Sequence, residues 1–284
     1  MVLTPLHGGI TNTNYVATVD GRRYVVRVPG ERTELLGIDR ANEAEAAIRA
    51  AELGIAPGVA GMLPAAGTLI TDLVVGHHLE PHPFIGRLPD VVRLLTRFHG
   101  SGDLAGSFPI HRVVEWHARD ASRFGVAPPP SYDRLHEQSQ RIEAAFAIAP
   151  QPHVPCHNDL LPGNVLFETD GDGLWLLDFE YAGMNDRFFD LGNLSVNCGL
   201  DSAADEELLH LYFGSVTDAR WARLQLMKMM SEFREGMWAV VQQAISTLDT
   251  DFVAYADERL GNCERLAASA EFDRWLADAA HPID

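Results

Sequence analysis

Three oxygen-bearing side chains stand at defined spacing near the middle of the chain. Asp159 is followed five residues later by Asn164, and Asp178 comes fourteen residues after that asparagine. Residues 164–168 and 174–177 read as two short strands joined by a tight turn rich in aspartate and glycine. Such a hairpin brings the three side chains to one end of itself, where two carboxylates and one amide oxygen suit a hard cation such as Mg²⁺.

The same stretch fits the pattern of a kinase active site, in which H-x-D-x-x-x-x-N is followed by D-F. Here His157–Asp159 opens the pattern and Asp178–Glu180 closes it. Histidine, asparagine and aspartate are also common turn residues, so an isolated H-x-D has little meaning. The triplet, the spaced asparagine, the hairpin and the D-F-E segment together are much rarer, and they favour phosphoryl transfer.

The composition is that of an ordinary soluble globular protein. The chain has 284 residues, of which 46% are hydrophobic and 22% charged, enough for one large domain or two lobes. No apolar run approaches the length of a membrane span, and the N-terminal residues lack the features of a secretory signal. Three widely spaced cysteines form neither a disulfide framework nor a metal-binding pattern, so we expect a cytoplasmic protein.

The net charge of −18 restricts the partners of this chain. It argues against nucleic acid or an anionic membrane surface as the main partner, and we expect no stable membrane association. A cationic small molecule would be attracted, whereas a nucleotide would need local positive groups and Mg²⁺. A general contribution to solubility explains the charge equally well, and the sequence makes no prediction of the oligomeric state.

The N-terminal residues predict an antiparallel sheet. Residues 2–6, 15–19 and 24–28 read as strands, and Asp20-Gly21 between the last two is a strong hairpin signal. The turn between the first two strands contains Gly8 and Gly9, whose backbone could approach a phosphate group closely. Polar side chains that could add hydrogen bonds to a phosphate follow this turn, namely Thr11, Asn12 and Asn14. Taken alone, this Gly-Gly pair is more typical of a plain hairpin turn.

Arg27 is a charged residue in an otherwise apolar strand. It faces either solvent or a buried partner. Residues 39–53 predict a helix capped by Asp39, and this helix offers Glu43 as the first choice of partner and Glu45 as the second. In kinases, a basic residue on the third strand pairs with an acid on the next helix to hold the nucleotide phosphates. An exposed helical acid without a role is the alternative.

Residues 68–75 predict a buried strand that ends before Gly76. In a two-lobed kinase this strand would lead into the hinge, where the backbone near Asp72 and Leu73 would meet the adenine. We therefore predict a small nucleotide-binding lobe of residues 1–75 and a large catalytic and substrate-binding lobe of residues 76–284.

The remainder of the chain is mainly helical in pattern, which makes the fold class α+β. The predicted helices are 88–99, two within 112–147, 203–213, 218–245, 252–270 and 272–279. After Glu180 the chain lacks the long segment ending in Ala-Pro-Glu that protein kinases carry. A helical lobe with an open substrate side suits a small molecule better than a protein substrate.

With these pieces placed, the chain resembles the choline/ethanolamine kinase family, within the wider aminoglycoside-phosphotransferase-like kinases. The matching segments are GGITNTNY (8–15), YVVRVPG (24–30), IDRANE (38–43), CHNDLLPGNVLF (156–167), LLDFEYAGMNDRFFDLGN (176–193), and MWAVVQQAIS with DFVAYADERL (237–260). The resemblance implies a protein-kinase-like fold with an antiparallel-sheet small lobe. It also implies ATP-dependent phosphorylation of a small alcohol that bears an amine or a quaternary ammonium.

The resemblance also implies residue roles. It gives Asp159 as the base that orients the hydroxyl, and Asn164 and Asp178 as the Mg²⁺ ligands. Arg27 would be the phosphate ligand and Glu43 its partner.

For the substrate, the resemblance implies an ammonium site with Trp238 and Tyr255 as walls and Glu180 nearby. An aromatic ring attracts a quaternary ammonium by roughly 0.5–2 kcal/mol. Taken alone, Trp238 on a helix is more typical of a core position. The chain departs from better-known members at Glu235, where they have tryptophan, and at Leu161, where the animal enzymes have glutamine. Glu235 either supplies a counter-charge or faces solvent.

Two other functions stay open. The first is a kinase of the same fold for another alcohol, such as an aminoglycoside, thiamine or a sugar. The second is a nucleotide-binding pseudokinase without catalysis, and the presence of all the expected polar residues argues against it. These residues are Arg27, Asp159, Asn164 and Asp178.

Overall fold

The computed structural model describes residues 2–6, 12–78, 85–169, 171 and 173–283. Gly8, Gly9 and Thr11 lie outside the described residues, so the phosphate-binding role predicted for their turn stays a prediction. Within the described ranges, the N-terminal part of the chain forms an antiparallel sheet and one α-helix. A mainly helical lobe follows. The predicted two-lobed α+β class is confirmed.

The small-lobe sheet has five antiparallel strands in the order β1-β2-β3-β5-β4. The strands are β1 (Val2–Leu6), β2 (Asn12–Val19), β3 (Arg22–Pro29), β4 (Val59–Leu63) and β5 (Thr68–Asp72). Asp20 and Gly21 both have positive φ, at 50° and 80°, which matches the tight turn predicted between β2 and β3. Strand β4 was not predicted, because Gly61 and a shift in pairing at this point weaken its pattern.

Helix α1 (Arg40–Glu52) lies between strands β3 and β4 in the chain. Its predicted N-cap forms, since the Asp39 carboxylate accepts hydrogen bonds from Ala41 N at 2.8 Å and Asn42 N at 3.2 Å. Glu43, Ala47 and Ala50 lie on one face of the helix and are buried. The cap and this small-residue face thus place the Glu43 side chain inside the small lobe.

The large lobe carries the remaining helices. They are α2 (Leu88–His99), α3 (Ile110–Arg123), α4 (Tyr132–Ile148), α5 (Arg187–Asn197), α6 (Ser202–Phe213), α7 (Asp218–Ile245), α8 (Phe252–Ala267) and α9 (Phe272–Ala279). Most match the predicted segments, although α8 ends before the predicted residue 270. Over the part of the chain that is described, no helix is long and apolar enough to cross a membrane.

Helix α7 is the central element of the large lobe. It is 28 residues long, buried over most of its length, and packs against α3, α5, α8 and α9. Helix α5 was not predicted, because Gly192 interrupts its pattern. A Cβ at Gly192 would lie 2.8 Å from the Lys228 backbone nitrogen and the Met227 carbonyl carbon, so glycine is needed for the close approach of α5 to α7.

Short strands after β5 form two small sheets, one of three strands and one of two. These strands are β6 (Gly76–His77), β7 (Val154–Cys156), β8 (Val165–Glu168), β9 (Leu174–Leu176) and β10 (Gly183–Asn185). The β8–β9 hairpin matches the predicted one, with Val165 opposite Leu176. The loop after β7 carries Asp159, and the segment after β9 carries Asp178. The predicted lobe boundary at residue 75 falls between β5 and β6.

Candidate active site

A cavity of about 540 Å³ lies between the small-lobe sheet and the β8–β9 hairpin. Its apolar lining comes from both lobes, through Val25, Ala47, Leu69, Leu166 and Leu176. Its polar lining includes Arg27, Asn164 and Asp178. The structure therefore brings these three predicted residues into one cavity.

The loop that carries Asp159 is held by buried hydrogen bonds. The Asp190 carboxylate accepts the backbone N–H groups of His157 at 2.8 Å and Asn158 at 2.7 Å. Asn158 has a positive φ of 62°, and its side chain donates to Tyr181 O at 3.0 Å. A non-glycine residue in this backbone region is strained, and such strain is typical of functional sites. Asp190 was not predicted to have this role.

Asn164 connects the loop that carries Asp159 to the hairpin. Its Nδ2 donates to the Asp159 carbonyl oxygen at 2.8 Å and to Asp159 Oδ2 at 3.2 Å. Its backbone carbonyl oxygen accepts a hydrogen bond from Leu177 N at 2.9 Å, and Leu177 directly precedes Asp178. Because the Asn164 amide nitrogen is used in this way, its Oδ1 is the atom left for a cation. With the Asp178 carboxylate, it forms an oxygen donor set that fits Mg²⁺.

Asp178 is the second non-glycine residue of the site with a left-handed backbone, at φ 64°. Its carboxylate forms an ion pair with Arg27, which also pairs with Glu43. Glu45 instead accepts a hydrogen bond from Ala105 N at 3.0 Å. Of the two candidate partners of Arg27, Glu43 is therefore the one in contact with it.

Arg40 is a second arginine of this cluster and was missed in the sequence. Its Nη1 lies 2.7 Å from Glu43 Oε2 and 3.3 Å from Glu180 Oε2, and its Nη2 donates to Asn12 Oδ1 at 3.1 Å. Arg40 is the first residue of α1, where the helix dipole disfavours a positive charge. That unfavourable position was the available signal for a role outside the helix.

Glu180 lies on the small-lobe side of the site. Its carboxylate accepts from Asn12 Nδ2 at 2.8 Å, in addition to the contact with Arg40. Burial, and next the Asp178 carboxylate, raise the pKa of Glu180. Its predicted role in substrate binding stays a prediction.

Asp72 and Leu73, the predicted adenine contacts, also line the cavity. The Asp72 amide donates to Gly58 O at 2.8 Å, and the Leu73 amide donates to Arg23 O at 3.1 Å. Both amide hydrogens are thus used within the small lobe, which leaves the carbonyl oxygens of these residues as possible contacts for a base.

Arg234 is the second arginine that the sequence did not reveal. It lies on α7 and donates to Asp159 Oδ1 at 3.1 Å and to the Glu235 carboxylate. Its guanidinium carbon lies 4.2 Å from the centre of the Tyr181 ring, close enough for a cation–π contact. Burial raises the pKa of Asp159 to about 7, even though Arg234 acts in the opposite direction.

The predicted substrate residues also lie together beside this arginine. The Trp238 and Tyr255 rings are 6.1 Å apart in an edge-to-face arrangement, and Trp238 Nε1 donates to Tyr181 OH at 3.0 Å. Glu235 is 3% exposed and accepts from Tyr255 OH at 3.1 Å, so it does not face solvent. The structure thus brings the three residues together on the Asp159 side of the site.

One further group of metal-capable side chains exists among the described residues, formed by His99, Cys156 and Asp190. The two His99 ring nitrogens lie within hydrogen-bonding distance of Tyr212 and Asp190, and Asp190 also binds the catalytic loop. Burial raises the pKa of the Cys156 thiol, which disfavours the thiolate that a metal needs. The hydrogen bonds of this cluster therefore support the loop that carries Asp159.

Comparison with known proteins places this geometry in a family. Residues 2–226 match the model of the phosphotransferase enzyme family. Mouse (Mus musculus) ethanolamine kinase 2 is 29% identical over 282 residues, which cover 87% of this chain and 71% of the relative.

Solved structures extend the match over nearly the whole chain. A choline/ethanolamine kinase family protein from Mesorhizobium loti is 33% identical, with a TM-score of 0.83 and coverage of 99% of this chain and 92% of that one. Choline kinase LicA from Streptococcus pneumoniae shares the fold at 22% identity, with a TM-score of 0.82 and coverage of 95% and 94%. LicA has also been solved in complex with AMP. The chain therefore belongs to the phosphotransferase enzyme family, and within it to the choline/ethanolamine kinases.

Proposed function

We propose that this protein transfers the γ-phosphoryl group of ATP to the hydroxyl of a small amino alcohol, ethanolamine or choline. The observation that carries the proposal is the convergence of four polar groups, of which Arg27, Asn164 and Asp178 line the interlobe cavity while Asp159 and Glu43 contact them. These groups are Asp159, Asn164, Asp178 and the Arg27–Glu43 pair. The same residues form the kinase pattern in the sequence.

The apolar part of the cavity suits the adenine of ATP. Val25 from the sheet and Leu166 from the hairpin contribute apolar surface from opposite lobes. Arg27 then lies where it can neutralise phosphate oxygens, and Glu43 orients the guanidinium. The AMP complex of a structural neighbour supports a nucleotide in this fold.

Mg²⁺ would be held by Asn164 and Asp178, and it would neutralise charge on the phosphate oxygens. In the transfer, the acceptor hydroxyl oxygen bonds to the γ-phosphorus while the bond from that phosphorus to the β–γ bridging oxygen breaks, and ADP leaves. The hydroxyl proton passes to the Asp159 carboxylate. Positioning by the loop and charge neutralisation supply most of the catalysis.

The acceptor side favours a primary ammonium over a trimethylammonium. Glu235 and Asp159 are buried carboxylates, and a primary ammonium can donate hydrogen bonds to their remaining lone pairs. Trp238 is almost fully buried and offers little ring surface to a quaternary ammonium. We therefore place ethanolamine ahead of choline. In this proposal, residues 1–75 bind the nucleotide and residues 76–284 bind the acceptor, in the cytoplasm.

A panel of acceptors tests this proposal. The purified protein is incubated with MgATP and, separately, ethanolamine, choline, an aminoglycoside, thiamine and a sugar, and ADP formation is measured. We expect acceptor-dependent ADP formation that is fastest with ethanolamine. Turnover of only a non-amine acceptor would contradict the assignment to amino alcohols. ATP binding without turnover of any acceptor would indicate a pseudokinase.

A further inference from the structure

Arg234 is buried deep in the large lobe, yet it does not act as a brace between segments of backbone. It is 2% exposed, and its Nη1 donates to Asp159 Oδ1 at 3.1 Å and to the Glu235 carboxylate. Its Nε and Nη2 are buried without a hydrogen-bond partner among the described residues. Leaving such donors unpaired is costly. The guanidinium therefore gains its hydrogen bonds from the carboxylates of the acceptor side alone.

Arg223, on the same helix and equally buried, shows what a structural arginine looks like in this protein. Its Nη2 donates to Ala149 O at 2.6 Å and to Ala279 O at 2.9 Å. These carbonyl oxygens lie at the ends of α4 and α9, so Arg223 joins both helices to α7. The carboxylate nearest to it, that of Asp186, is 3.5 Å away and does not belong to the catalytic loop.

The two carboxylate oxygens of Asp159 are contacted by residues from two different parts of the chain, Asn164 before β8 and Arg234 on α7. Asn164 Nδ2 lies 3.2 Å from Oδ2, and Arg234 Nη1 lies 3.1 Å from Oδ1. The guanidinium is itself fixed, because it stacks 4.2 Å from the Tyr181 ring centre and pairs with Glu235. Charge-assisted hydrogen bonds of this kind are strong and directional where water is excluded.

We propose that Arg234 is a positioning residue, which holds the Asp159 carboxylate in the orientation that receives the proton of the acceptor hydroxyl. Glu235 serves this arrangement by holding the guanidinium. The inference rests on the proposed function, since it takes Asp159 to be the base. The Arg234 guanidinium is thus a cation of the chain itself that lies over the Tyr181 ring. The ammonium group of the acceptor is therefore not needed to orient Asp159.

Substitution of Arg234 separates positioning from binding. Arg234→Met keeps much of the side-chain volume but removes the charge. We expect kcat to fall about 10²-fold, the typical effect of a misplaced catalytic group. The KM for ATP should change by no more than about threefold, because the nucleotide residues are untouched. Arg234→Lys restores the charge without the planar fork and should recover about a tenth of the wild-type kcat.

Arg223→Met is the matched control, because it removes an arginine of equal burial from the same helix. We expect it to lower the midpoint of thermal unfolding and to keep the wild-type kcat at temperatures where the protein is folded. An equal loss of kcat in both methionine variants would show a merely structural role and overturn the proposal. So would a wild-type kcat in folded Arg234→Met.

The lysine variant keeps the test decisive if Arg234→Met does not fold. A folded Arg234→Lys with lowered kcat and unchanged KM for ATP supports the proposal, whereas unchanged kcat overturns it. All variants are measured with whichever acceptor the wild type uses fastest. Failure of the wild type on every amino alcohol would therefore reject the proposed function, while the ratios between variants test Arg234 separately.

Discussion

The active site contains two clusters of ion pairs that differ in their exposure to solvent. On the proposed nucleotide side, the Arg27 side chain is 12% exposed and that of Asp178 is 32% exposed. On the proposed acceptor side, the side chains of Arg234 and Glu235 are 2% and 5% exposed. Both clusters use arginine and carboxylates, but only the first opens into the interlobe cavity.

This difference indicates different tasks. Ion pairs that reach solvent are weak and can exchange partners, as phosphate and Mg²⁺ binding would require of Arg27 and Asp178. A buried pair is costly to break, because the remaining charge has no partner. We infer that the nucleotide side is exchangeable, whereas the acceptor side is fixed before the acceptor arrives.

The largest effect should come from Asp178, the exchangeable carboxylate. Asp178→Ala should abolish Mg²⁺-dependent turnover, because the phosphate charge loses the ligand of its cation. ADP formation over a range of Mg²⁺ concentrations measures this effect. Asp257→Ala is the control, since it removes an exposed carboxylate of α8 that does not line the cavity. Full activity of Asp178→Ala at saturating Mg²⁺ would show that this carboxylate does not hold the cation.

The pair of Arg27 and Glu43 should give the next largest effect. We expect Arg27→Met to raise the KM for ATP about tenfold or more, the value of a charged hydrogen bond. Glu43→Gln should produce a smaller change in the same direction. The loss of ATP-binding free energy in the double variant should be smaller than the sum of the losses in the single variants, because the two residues act as one unit. Strict additivity in this cycle would argue against their coupling.

Smaller effects should appear in the choice of acceptor. Glu235→Gln should raise the KM for ethanolamine more than that for choline, by a factor of about three to ten, because only a primary ammonium donates hydrogen bonds. If these rings face an ammonium, Trp238→Leu and Tyr255→Leu should each lower the affinity for choline by about 2- to 30-fold. The affinity for ATP should stay unchanged. Steady-state kinetics with both amines provide the comparison.

An uncharged acceptor checks the same point without mutation. 3,3-Dimethylbutanol has the shape of choline but lacks its charge. If the wild type phosphorylates it as fast as choline, the acceptor site does not recognise a positive charge.

The smallest effect concerns the pH dependence of the free energy of unfolding, through the buried His117 near Arg234. Burial, and next the charge of Arg234, lower the pKa of His117 to about 3. Because the folded pKa lies below the unfolded value of 6.5, the unfolded chain binds more protons, and His117 contributes stability that is lost as pH falls below 6.5. The free energy of unfolding of His117→Gln should therefore change less between pH 6.5 and 4, within the window that these two pKa values define. His210→Gln serves as the control for the loss of an imidazole, since His210 lies at an exposed position of α6.

Local patterns predicted the fold and the motif well, because they depend on neighbouring residues. The β8–β9 hairpin and the Asp39 cap follow from turn and capping chemistry within a few residues. Helix α7 follows from its long period, and its predicted bounds match the observed ones. Strand β4 and helix α5 were missed, because a glycine interrupts each pattern, and only that of α5, Gly192, is needed for a close approach between elements.

The partners of the motif could not be predicted in the same way. Arg234 is separated from Asp159 by 75 positions, and Arg40 from Glu180 by 140. Nothing in the local sequence shows which distant side chain will meet a buried carboxylate. The sequence offered two signals, the charge of Arg234 in a largely apolar helix and the position of Arg40 at a helix N-terminus. Neither signal identifies the partner of its arginine without the tertiary structure.

Asp159 is proposed as the base of a phosphoryl transfer. The decisive experiment measures the kcat of Asp159→Asn with MgATP and the best acceptor, together with ATP affinity by titration. We predict a fall in kcat of about 10²- to 10⁴-fold, the usual contribution of a general base, with ATP affinity nearly unchanged. A wild-type kcat in this variant would contradict the assignment of the active site.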